Sequence, residues 1–218
     1  MTVDPLRFAI AMVPLSAYLL LLALVNARSR PFLTSGGADL AALGAALSGL
    51  VWVGPLELFR PQSATLHFGN YIWLVLLLFY WLCLTLIVLL GRPRLVVYNI
   101  SLEEMRPILA EAAARLDGDA RWAGNHLTLP ALGVHLHFDG FEPMRNVSLV
   151  SSGGQQNIDG WRRLASELRK SLAPIRVRPN RWTIVLFVLS FAILAGSISY
   201  MLSHPRELVQ AANQLFSY

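Results

Sequence analysis

YIWLVLLLFYWLCLTLIVLL, residues Tyr71–Leu90, runs directly into GRPRLVVYNISLEEM, Gly91–Met105, and the change at Gly91 decides the fold. The first twenty residues carry no charge and are long enough to cross a ~30 Å hydrocarbon core as a helix. Tyr71 and Trp73 suit one membrane interface, and Arg92 and Arg94 the other. Beyond Gly91 the continuous apolar run gives way to soluble patterns. Leu95–Ile100 is a β-branched and aromatic run, read as a buried strand. Ser101 and Glu104 then form an S-x-x-E capping box that opens a helix with apolar positions Leu102, Met105, Leu109, Ala112 and Leu116. Pro107 either kinks that helix or marks its true start.

Three further apolar segments accompany this span. Residues 8–25 (FAIAMVPLSAYLLLLALV) are long enough to cross; the rival reading is a cleaved signal peptide, opposed by the weakly charged MTVDPLR in front and the length of the run. Residues 38–59 hold an uncharged stretch, Leu40–Leu56, of about 25 Å as a helix. Its small residues recur every four positions, at Ala41, Ala45 and Gly49 and at Gly44 and Ser48. That spacing lets backbones approach closely, so the second span is expected inside the bundle, or as a re-entrant segment broken near Gly54-Pro55. The fourth span is 181–202, with Arg181 and Trp182 at one end and Tyr200 at the other.

Composition agrees. Of 218 residues 55% are hydrophobic and 14% charged, against about 25% charged in soluble domains, and mean hydropathy is +0.51. Of the 18 Lys and Arg, 13 fall between Arg92 and Arg181, with 9 of the 13 acids. The pI near 9.9 does not imply nucleic acid, because the basic residues flank apolar segments, where anionic lipid and topology explain them. Arg92, Arg94, Arg176, Arg178 and Arg181, with Trp182, read as membrane-surface anchors. Arg28 and Arg30 lie in the first loop. By the positive-inside rule the domain faces the cytoplasm and both termini lie outside, in a bacterial inner membrane. The single Cys83 allows no disulfide within the chain. The N-x-S triplets at Asn99 and Asn146 are chance matches in that compartment.

Between the third and fourth spans, residues 92–180 read as an α+β domain. His126–Leu129 and Val134–His137 alternate around Pro130–Gly133. Pairing Leu129 with Val134 sets Leu127 opposite Leu136 on one face, and Thr128 opposite His135 and His126 opposite His137 on the other. Asn146–Ser151 is another strand, followed by a flexible Ser152–Gln156. A helix from about Asp159 to Leu172 carries the stripe Trp161, Leu164, Ala165, Leu168 and Leu172. The order β-α-β-β-β-α predicts a four-stranded sheet with two helices on one face. The architecture is therefore 1–91 with three spans (8–25, 38–59, 71–90), the domain at 92–180, the span at 181–202, and an amphipathic tail at 203–218.

Candidate chemistry is sparse. His126, His135 and His137 share one hairpin face with Asp139 nearby, a ligand set suited to zinc, although the spacing is no established signature and solvated histidines are the commoner case. Histidines there would also make a pH-sensitive surface. Glu57 is an intramembrane acid near a span end, three residues before Arg60, with which it can pair; Asp39 suits a helix start. The loop before the second soluble helix offers backbone amides to an anion but lacks a P-loop pattern. Leu208, Val209, Ala212, Leu215 and Phe216 give the tail an apolar stripe for a membrane surface or a partner.

No nucleophile–base pair or phosphate loop is present, and nothing calls for a cofactor. The expected role is a non-enzymatic scaffold, assembly factor or regulatory subunit whose cytoplasmic domain binds a protein partner. The alternatives are a transport component with the second span and Glu57 in a homo-oligomeric pathway, and a membrane enzyme using His126, His135 and His137. A reporter fused after Ser152 is expected to read as cytoplasmic; a periplasmic signal would reverse the topology.

Overall fold

The computed structural model of the chain describes residues 4–56, 71–178 and 180–216. Glu57 and Arg60 lie outside the described residues. Among the described residues, four helices are long and apolar enough to cross a membrane. The first three are α1 (Pro5–Ala27), α2 (Gly36–Val51, continued by a π-helical turn at Trp52–Leu56) and α3 (Tyr71–Leu90). A soluble part follows: β2 (Arg94–Tyr98), α4 (Leu102–Leu116), β3 (Arg121–Ala123), β4 (His126–Leu129), β5 (Val134–Phe141), β6 (Asn146–Ser151) and α5 (Ile158–Leu172). The fourth apolar helix is α6 (Trp182–Ser203), and α7 (Pro205–Phe216) follows it. The chain divides into two compact units, one of apolar helices, the other Ala23–Leu40 with Leu90–Thr183.

In the helical unit small residues do what their spacing predicts. A Cβ on Gly49 would stand 1.9 Å from the Ile10 carbonyl oxygen of α1, and one on Gly44 would stand 2.5 Å from the Leu84 side chain of α3. Only glycine admits the approach to backbone at Gly49, whereas a Cβ at position 44 would require the Leu84 side chain to shift. Tyr80 donates to the Gly44 carbonyl at 2.6 Å, and Ser190 of α6 donates to the Ser16 carbonyl at 2.8 Å. The expected enclosure of the second span holds only in part: 17% of the apolar window of α2 is buried, more than the 6% and 11% of α3 and α6 but less than the 28% of α1. The glycines of α2 pack, but Leu40 and Leu43 stay exposed.

The sheet of the second unit has six antiparallel strands, in the order β1-β2-β6-β5-β4-β3, and not the expected four. β1 is Phe32–Ser35, in the loop between the first two apolar helices. It pairs Phe32 with Tyr98, Leu33 with Val97, Thr34 with Val96 and Ser35 with Leu95. Four residues between Pro31 and Gly36 carry no periodic signal, and their partner lies about sixty residues on, which is why sequence reading took them for loop. β3 is shorter still; it is joined to β4 through Gly124, whose φ of 60° suits a tight hairpin turn.

α4 and α5 cover one face. Leu33, Val97, Leu127, Leu136, Phe138, Val147 and Leu149 meet Met105, Leu109, Trp161, Leu164 and Leu168 in a single core. The capping box at Ser101 and Glu104 forms as expected. α4 starts there and runs through Pro107; the carbonyl that loses its bond, on Glu103, belongs to an exposed residue that water can serve.

Leu33→Ala in the full-length chain is expected to lower the unfolding free energy of this unit by about 2 kcal/mol or more, as for a buried core leucine. A thermal melt followed by near-UV circular dichroism measures it, and no shift would mean that Phe32–Ser35 is loop.

Candidate functional site

The outer face of the sheet carries the histidines. Register places His126 opposite His137, Thr128 opposite His135 and Leu127 opposite Leu136, as alternation predicted. Pro130–Leu132 form a single 3-10 turn that Gly133 closes at φ 62°. The His126 and His137 rings lie 5.7 Å apart between centroids, and His135 Nδ1 stands 3.4 Å from Thr128 Oγ1. Asp139 faces Ser148 on the neighbouring strand, and its carboxylate accepts from the Gly140 amide. The predicted residues therefore share a face but split into separate pairs. Among the described residues no three His, Cys, Asp or Glu side chains gather as metal ligands.

The stretch expected to be flexible is held at its two ends, Ser152 and Gln156, with the Ser152 amide donating to the His135 carbonyl. Gln156 accepts from the His135 amide and the Trp161 indole and donates to the His135 and Ser152 carbonyls. Asn157 caps α5 through its side-chain oxygen, which accepts from the Asp159 and Gly160 amides. An anion at this helix start would have to displace that oxygen.

A groove sequence reading missed lies along β1. Its volume is about 590 Å³, and it is lined by residues 30–35, by Ala38 at the start of α2, and by Arg169, Leu172 and Ala173 at the end of α5 and just beyond. β1 is the terminal strand of the sheet, so this channel borders an edge that no other strand covers among the described residues. Leu33 and Leu172 reach from it into the core. Arg30 and Arg169 are exposed, no acid lines the groove, and neither arginine has an ion-pair partner among the described residues. In the sequence Arg30 bears only on topology, and Arg169 is simply absent from the stripe of Trp161, Leu164, Ala165, Leu168 and Leu172. The two are far apart in the chain, so no local pattern unites them.

A polar junction holds the chain segments that enter and leave this unit. The Val177 amide donates to the Ser29 carbonyl, the Asn180 amide to the Asn26 carbonyl, and the Asn99 side chain to the Arg28 carbonyl. Arg145, left-handed at φ 46°, donates to the Arg178 carbonyl and to both carboxylate oxygens of Glu104, at 3.1 and 2.8 Å. Tyr98 donates to the Asp39 carboxylate. Of the surface arginines, Arg92, Arg94, Arg176, Arg178 and Arg181 are all exposed, as is Trp182, and Arg94 donates to Ser148. Partial burial raises the Glu104 pKa, but the Ser101 amide and the Arg145 guanidinium outweigh it and hold the carboxyl below its ordinary 4.5.

Comparison with protein-family models, curated proteins and solved structures gives no match.

A depressed carboxylate contributes stability above its unfolded pKa and loses it as pH falls through the folded value. Glu104→Gln, which keeps the capping hydrogen bond, is expected to be less stable than the parent at about pH 7. Solvent screening of this half-exposed pair limits the gap to under about 1 kcal/mol. The gap should narrow as pH falls through the folded value below the ordinary carboxylate range, as a series of thermal melts at decreasing pH would show.

Proposed function

We propose that the chain is a multi-pass protein of a bacterial inner membrane, with its α+β unit in the cytoplasm and both termini outside. Its role is to bind a protein partner, as a scaffold, assembly factor or regulatory subunit rather than as an enzyme. The observation that carries this reading is the uncovered sheet edge at β1 with a groove and two unpaired arginines beside it. Sheet edges and grooves of this kind are recognition surfaces for other chains. The pairing of β1 with β2 supports a topology in which the first loop and the domain lie on one side, because a bilayer cannot pass between paired strands. The basic residues at Arg28, Arg30 and the domain flanks favour the cytoplasm for that side.

Extraction of the protein from its native membrane in mild detergent, with amine-reactive crosslinking beforehand, is expected to recover one partner protein in stoichiometric amount. Recovery of homo-oligomers alone would favour the transport reading instead.

A further inference from the structure

The groove along β1 has features that restrict what can occupy it. One wall is the open edge of a sheet. In an antiparallel strand, alternate residues direct both backbone groups away from the existing partner, so Phe32–Ser35 offers an added strand up to about four hydrogen bonds. The opposite wall is the end of α5, where Leu172 gives an apolar surface. Arg30 and Arg169 supply positive charge that no acid in the groove offsets.

We propose that this groove takes an extended, acidic segment of a partner protein, which joins the sheet as a seventh strand beside β1 and sets its carboxylates against Arg30 and Arg169. The proposal rests on the partner-binding reading above and names where and how the partner docks. Main-chain bonds along β1 provide affinity that is blind to sequence; the two guanidiniums and the apolar wall select among segments. Two other occupants fit less well. A second copy of this chain would bring four arginines and no acid into the shared groove, and like charges there cost affinity. An anionic lipid headgroup would satisfy the arginines but leave the strand edge and Leu172 unused.

The probe is a fluorescein-labelled decapeptide of alternating Glu and Val, titrated by anisotropy against the full-length protein in neutral detergent. Saturable one-to-one binding is expected, at least tenfold tighter than for the matching Lys and Val peptide. Arg30→Ala with Arg169→Ala should weaken it tenfold or more; both positions are exposed, and an unchanged thermal midpoint verifies the fold. N-methylation of alternate peptide amides, which removes ladder donors but no charge and needs no change in the protein, should also cost tenfold or more. Affinity that survives N-methylation would overturn the proposal, leaving simple charge attraction. So would absence of saturable binding, or arginine-dependent binding of phosphatidylglycerol nanodiscs that the peptide fails to displace. If the double variant still crosslinks its native partner in full yield, the groove assignment fails while the partner-binding function stands; if no partner is recovered from either protein, that function fails as well.

Discussion

Four residue pairs between β1 and β2 tie the first loop into the soluble unit, and the rest of that unit is built around them. β1 comes from the short connection between two apolar helices, and β2 begins four residues after a third ends. Backbone groups buried in a sheet must be paired, so once Leu33 enters the core its neighbours have to join the ladder. The consequence is that the loop is not a tether beside the domain but one of its structural parts. Its length is fixed, since Arg28 to Phe32 must span from the end of α1 to the sheet edge.

The junction built on Asn99, Arg145 and Asn180 extends that constraint to the other end of the domain. Three of its hydrogen bonds end on main-chain carbonyls of the two segments that lead to α1 and α6, at Asn26, Arg28 and Arg178. Carbonyls near a helix end and in a connecting segment lack partners of their own, and here side chains and amides of the domain supply them. Positive φ values at Asn99 and Arg145, uncommon for residues other than glycine, mark where the backbone turns to make these contacts. The open edge at β1 thus lies on a unit whose own flanking segments, at Asn26, Arg28, Ser29, Val177, Arg178 and Asn180, are hydrogen-bonded within it.

What sequence could foresee follows from the range of the signal. Tyr71–Leu90, the capping box at Ser101 and the register of His126 against His137 are written in runs of four to twenty neighbouring residues, and the structure reproduces them. β1 and β3 were missed because three or four residues carry no period. The groove was missed because Arg30 and Arg169 become neighbours only once β1 and α5 are in place. Gly44 and Gly49 correctly foretold close helix approach. Small residues mark contact along one stripe, however, and do not require a whole helix to be enclosed. The histidines were read onto the right face, but sharing a face left them in pairs and, among the described residues, brought no third ligand within reach.

The place of β1 in the chain also sets an order of events. Synthesis makes Phe32–Ser35 before α2 and α3, and β2 only after both. The edge strand therefore has no partner until two long apolar helices have been made and accommodated, and its sheet closes across a gap of about sixty residues. Pairings of such range form late, after local helices. β1 can therefore be seated only after α2 and α3 have been synthesised, and the edge along which the groove runs is completed only once β2 appears.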